Sequence, residues 1–188
     1  MSTTNVVCLS EAANVAAKYQ FRAILLKAIT KKDMNAFKAC VEQIGLDWHV
    51  SRTVETNKKD AFSESLWNNR EAILSGKYEW NKSPYNAYSY ESKVCFLLNP
   101  VHYKLIFDSQ IQTALNETNR DKWQERVERY YQETLQFSPE DETDIDRIFR
   151  EDYKLWAKDS EKIWLSGSSG RIVYKVGVTF ETAQNLTV

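Results

Sequence analysis

The sequence predicts a mostly α protein: a multi-helix single domain of about seven helices with a short C-terminal strand or hairpin. Three observations point there. Apolar residues recur at helical spacing along most of the chain. Only 5 Gly and 3 Pro occur in 188 residues, too few for the many tight turns of a sheet-rich fold. Hydrophobic residues make up 43% and aromatic residues 13%, enough for a packed core and unlike a disordered chain. The helical domain is expected over 1–166 and a strand-like appendage over 167–188.

Ser10 and Glu11 open an amphipathic helix that should reach about Ile29, with Ala12, Val15, Ala16 and Tyr19 facing inward. Asp33 is placed to cap a second helix with Phe37, Cys40, Val41 and Ile44 on its inner face and Gly45 as its stop. The two should form an antiparallel pair. Residues 46–59 read as a polar connection anchored by Trp48. A third helix is expected over 60–75, carrying Phe62, Leu66, Trp67, Ile73 and Leu74, with Gly76 behind it. The stretch 77–90, KYEWNKSPYNAYSY, breaks the pattern and is long for a connection.

A helix resumes near Tyr90 and runs to Leu98. Its segment VCFLL is apolar all round, which marks a central helix. Pro100 ends it. A short crossing from His102 to Phe107 leads to Asp108, an N-cap for a helix with Ile111 and Leu115. The next helix covers about 120–136, with Trp123, Val127, Tyr130 and Leu135. Ser138 and Pro139, followed by acids, read as the start of a last helix to Trp164. Beyond the SGSSG break, Ile172, Tyr174, Val176, Val178 and Phe180 alternate as in a strand. A lone strand must hairpin, pair elsewhere, or pair with a second copy as a homodimer.

Net charge is −1, which gives no global signature of nucleic-acid binding, though a local basic patch suffices for it. Residues 1–60 are mildly basic, with nine Lys/Arg against six Asp/Glu. Cys8, Cys40 and Cys95 have no zinc spacing, and His49 and His102 complete none. They read as reduced thiols of a cytoplasmic protein. The N-terminal segment has no basic region followed by an apolar run, so no signal peptide is expected. The longest apolar stretch, Val94 to Leu98, is far too short to span a membrane. No phosphate-binding glycine loop or metal motif occurs, so the reading calls for no cofactor and no metal.

Residues 89–115 read SYESKVCFLLNPVHYKLIFDSQIQTAL. The order is helix, proline, a short extended piece, then an aspartate opening a new helix. This order resembles the C-terminal part of the signature of helix-hairpin-helix DNA glycosylases. The resemblance implies a role for Asp108 as that family's catalytic aspartate, stabilising positive charge on deoxyribose as a flipped base departs, or activating the nucleophile. It also places Lys93 near the position of the lysine that attacks the sugar in bifunctional members. The interval from Lys93 to Asp108 is shorter than that family's. The family's glycine-rich hairpin has no counterpart either, since no glycine lies between Gly76 and Gly167. From the residues alone, Asp108 reads as a helix cap and Lys93 as a solvated helix-face lysine.

The segment holding Lys77, Tyr78, Trp80, Lys82, Tyr85 and Tyr88 interleaves rings with cations. Three uses fit: stacking on nucleic-acid bases, binding another protein, and pinning a long loop to the core. His102 reads as a proton shuttle near Asp108 or as a hydrogen-bonded surface residue. Two functions follow as expectations. One is a DNA-binding protein related to glycosylases, excising or recognising a modified base. The other is a non-enzymatic helical module that binds a protein through its Tyr-rich surface.

Overall fold

The computed structural model describes residues 5–6, 11–48, 50–157 and 165–166. Nine α-helices lie among them: α1 (Glu11–Thr30), α2 (Met34–Asp47), α3 (Lys59–Asn68), α4 (Arg70–Leu74), α5 (Tyr88–Leu98), α6 (Pro100–Tyr103), α7 (Ser109–Leu115), α8 (Trp123–Arg129) and α9 (Ile145–Ala157). The mostly α expectation therefore holds, with more and shorter helices than the apolar periodicity implies. Two residues on each side, β1 (Asn5–Val6) and β2 (Leu165–Ser166), pair antiparallel. The strand expected over 171–180, and with it the dimer it would mediate, lies outside the described residues. No described helix is long and apolar enough to cross a membrane.

The inner face of α1 differs from its expected one. Val15, Lys18, Phe21, Arg22, Leu25 and Ala28 are buried, while Tyr19 is half-exposed. Two cations thus point inward. Asp33 caps α2 as expected, accepting a hydrogen bond from the Ala36 N–H at 2.9 Å. The chain reverses between the helices, and Cys40 and Trp48 both return to Phe21. Gly45 does not stop α2, which continues to Asp47. Its missing side chain makes room for a ring: a Cβ there would lie 2.3 Å from the Tyr90 hydroxyl oxygen. That hydroxyl donates to the Val41 carbonyl at 2.5 Å.

The helix expected over 60–75 is interrupted at Asn69, whose side-chain amide donates to the Ser65 carbonyl. Gly76 does end the second piece, with a φ of 71° and the His102 ring against it. Helix α5 is the central element the VCFLL run implies. Every residue from Tyr90 to Leu98 is buried, including Glu91, Ser92 and Lys93. Pro100 opens α6 rather than only closing α5, because Asn99 caps the His102 N–H and proline is compatible with a first helical turn.

The helix of 120–136 begins three residues later, at Trp123, and widens into a π-helical turn over Tyr130–Thr134. The last helix starts later than Ser138. Asp141 provides the cap, accepting from the Thr143 N–H at 2.8 Å, and a single 3-10 turn leads into α9. Residues 158–164, where that helix was expected to continue, lie outside the described set.

Helix α9 lays Ile145, Ile148, Phe149, Asp152 and Leu155 along one buried stripe. Its Asp152 meets Lys18 of α1 at 2.8 Å, with side chains 4% and 2% exposed. The Lys18 ammonium also donates to the Phe149 carbonyl at 2.9 Å and lies over the rings of Phe96 and Phe149. Burial lowers the Lys18 pKa, and the Asp152 charge opposes that shift. An unpartnered buried carboxylate is costly, so Lys18→Met should lose about 3–5 kcal/mol of stability in urea unfolding. Adding Asp152→Asn, which removes the stranded charge, should recover most of the loss. An undiminished deficit in the double variant would mean that the packing of Lys18, not its charge, is what matters.

Candidate functional site around Lys93 and Asp108

The segment from Lys104 to Asp108 has no helix or sheet to hold it, and side chains of the surrounding helices do so instead. It begins in a tight γ-turn: Lys104 has a φ of 55°, and the Leu105 N–H donates to the Tyr103 carbonyl at 2.6 Å. A non-glycine residue in that conformation costs about 1–3 kcal/mol and persists only where its surroundings enforce it. Here they do. The Tyr131 hydroxyl donates to the Lys104 carbonyl at 3.3 Å, and the Lys104 ammonium pairs with Glu128. Next, the Ile106 N–H donates to Asp152 Oδ1 at 3.0 Å and the Phe107 N–H to Ser92 Oγ at 3.0 Å. The Phe107 ring is clamped between Trp80 and Trp123, at centroid distances of 5.2 and 5.1 Å.

This scaffold delivers Asp108 to the N-terminus of α7. Its Oδ1 accepts from the Gln110 N–H at 3.1 Å, and its Oδ2 accepts from Lys93 Nζ at 3.1 Å. Lys93 Nζ also donates to Ser89 Oγ at 3.0 Å, one turn earlier on α5. The lysine side chain is 5% exposed and that of the aspartate 21%. The two residues singled out in the sequence for nucleophile and carboxylate therefore meet directly, although 15 positions apart.

His102 is not part of this cluster. It stands on α6 with its ring perpendicular to that of Tyr103 and close to Gly76, and no hydrogen bond or ion pair joins it to Asp108. Burial lowers its pKa; the nearby Glu128 opposes the shift and Lys104 adds to it.

The Tyr-rich segment is largely committed to the protein itself. Trp80 is 6% exposed and lies on Phe107, so its indole face is not free for a base. The Tyr78 hydroxyl donates to Glu91, and that of Tyr85 donates to the Ala61 carbonyl while its ring packs on Phe62. Tyr88 is half-buried, one residue before Ser89, with the Arg120 guanidinium stacked 4.2 Å from its ring centroid. Lys77 and Lys82 are exposed, the latter paired with Glu79 at 2.7 Å. Packing thus accounts for most of these rings, and the Tyr88–Arg120 stack is the surface feature closest in sequence to the pair's Ser89.

Sequence reasoning missed Lys18, Glu91, Ser92 and Asp152. The signal for Lys18 and Asp152 was present: each falls on the apolar stripe of its own helix. Glu91 sits beneath the Tyr-rich segment, wholly buried, with Oε1 receiving the Tyr78 hydroxyl at 2.8 Å. Among the described residues no group of three His, Cys, Asp or Glu is placed to hold a metal ion. No family model, curated protein or solved structure matches the chain.

Burial pushes the Glu91 carboxyl up to about 6 from 4.5, against the opposing pull of the Ser83 and Tyr78 hydroxyls. A carboxyl that holds its proton more tightly when folded stabilises the protein most below its unfolded pKa. That stabilisation is lost as pH rises through the folded value. Glu91→Gln should therefore be more stable than the parent at pH 7.5, by on the order of 2 kcal/mol, with the difference vanishing below about pH 4. Parallel urea unfolding curves across that range test it; a difference independent of pH would show that Glu91 does not titrate there.

Proposed function

We propose that the chain is a DNA-binding protein related to the DNA glycosylases, acting on a modified base through Asp108 and Lys93. The observation that carries this reading is the 3.1 Å contact of Lys93 Nζ with Asp108 Oδ2 at the start of α7. Support comes also from the strained turn at Lys104 and the fixed segment behind it, since strain and over-determined geometry collect at functional sites.

In this reading the Lys93 amine, once deprotonated, attacks the sugar carbon that bears the base. Its lone pair forms the new C–N bond, and the glycosidic bond breaks with its electron pair leaving on the base. The base takes a proton from solvent. Asp108 stabilises the positive charge that develops on the sugar and accepts the proton shed by the newly bonded nitrogen. Without Lys93 as nucleophile, Asp108 would orient a water for the same displacement. Tyr88 and Arg120 offer a ring and a cation for an unstacked nucleotide and its phosphate. Lys93 is only 5% exposed, so its amine must be uncovered as substrate enters.

Two observations favour a second reading, a non-enzymatic helical module that binds another protein. Asp108 caps α7, which is a sufficient structural task, and Lys93 is buried beside it. Tyr19, Ile24 and Leu46 are 40–50% exposed and give apolar contact points on α1 and α2.

The two are separated by incubating the protein with duplexes bearing damaged or modified bases, scoring abasic sites and borohydride-trapped covalent adducts. Asn caps a helix as well as Asp, so Asp108→Asn keeps the cap and removes the charge. It also leaves buried Lys93 without its carboxylate, so the fold of each variant is checked by circular dichroism before the assay. The glycosylase reading expects Asp108→Asn to lower product formation by at least about 100-fold and Lys93→Gln to abolish the trapped adduct. Undiminished activity in Asp108→Asn would remove this mechanism. Failure of the parent protein to shift or cleave any duplex at low salt would favour the interaction module.

A further inference from the structure

A cavity of about 460 Å³ lies away from the Lys93–Asp108 pair, between the C-terminal end of α7, helix α8 with its π-helical turn, and α9. Its volume falls within the roughly 300–1,000 Å³ range of small-molecule sites. Leu115 and Leu155 contribute apolar wall. Arg126, Tyr130, Glu151 and Lys154 contribute the polar part.

The charges are unbalanced. Glu151 is the one acid among these lining residues, and it is already engaged: the Tyr130 hydroxyl donates to its Oε1, and Lys154 lies 3.7 Å from its Oε2. Arg126 is half-buried, and its Nε donates to the Leu115 carbonyl at 2.9 Å. No carboxylate among the described residues pairs with it. A guanidinium fixed by Nε keeps its two terminal nitrogens for a planar anion, and carboxylates and phosphates match that fork. The widened turn at Tyr130–Thr134 is a second sign. Such turns add a residue at some cost in helix regularity, and they gather at functional sites.

We propose that this cavity binds a small amphipathic anion, a compact apolar body carrying one carboxylate. The carboxylate sits on Arg126, Lys154 closes over it, and the apolar body rests on Leu115 and Leu155. This site is independent of the DNA-repair reading.

Titration of the isotopically labelled protein with hexanoate, followed by amide NMR, tests the assignment. Saturable shifts at Ala114, Thr134 and Lys154 are expected, with a Kd of about 1 mM or tighter. Arg126→Met should weaken binding at least about tenfold, a loss of one charge-assisted fork. Because Arg126 also steadies the end of α7, Lys154→Met serves as the second variant. Its side chain is 60% exposed, so the fold should tolerate the change, and it should weaken hexanoate several-fold. Hexylammonium, the same body with the opposite charge, should not bind. Absence of saturation with hexanoate, equal shifts with hexylammonium, or undiminished binding in Lys154→Met with Arg126→Met unfolded would each overturn the proposal.

Discussion

Lys18 reaches the interior of the bundle as an ammonium, and the geometry around α1, α5 and α9 follows from the need to satisfy it. Asp152 supplies the opposite charge and the Phe149 carbonyl a second acceptor, so α1 and α9 can approach in only one register. The same carboxylate has a second oxygen to satisfy, and it accepts the Ile106 N–H. One buried carboxylate therefore fixes two helices and the irregular segment that ends at Asp108. Buried pairs of this kind add little net stability over apolar packing, but losing either partner is costly. The pair acts here on geometry more than on total free energy.

Helix α5 extends that logic along the chain. It is apolar from Val94 onward, and its first turns carry Ser89, Glu91, Ser92 and Lys93, each bonded to a different neighbour. Ser92 holds the Phe107 N–H, Lys93 holds Asp108, and Glu91 receives Tyr78. The N-terminal half of the central helix thus organises both the Tyr-rich segment and the approach to α7. A lysine and a carboxylate brought together this way, at the end of a segment that opens in a strained turn, form the most chemically capable cluster in the described fold. The cavity beside α9 has a different character, since its arginine is left with charge to spare.

Much of the helical plan could be read from the sequence, and the failures have physical causes. Asp33 and Asp108 were legible as caps because capping is local chemistry. The central place of α5 was legible because VCFLL leaves no polar face. Gly45 misled: glycine commonly ends a helix, but here it makes room for the Tyr90 ring from another part of the chain. Ser138 and Pro139 misled as well. They carry every local mark of a helix start, yet Asp141 makes the capping bond three residues later. The inward face of α1 was misplaced because Lys18 and Arg22 count as polar until partners such as Asp152 and Glu142 come within reach. The Tyr-rich segment was legible as aromatic and irregular, but not as mostly packed.

By itself the sequence determined the helical class, the caps and the central apolar helix, because these depend on residues within a turn or two of one another. Lys93 and Asp108 stood out through the resemblance of residues 89–115 to the glycosylase signature. Only the tertiary structure decided that they touch, that His102 stands apart from them, and that Trp80 is closed off by Phe107. Those outcomes depend on hydrogen bonds and ring contacts between distant positions, and the deciding partners, Asp152 above all, lie far along the chain.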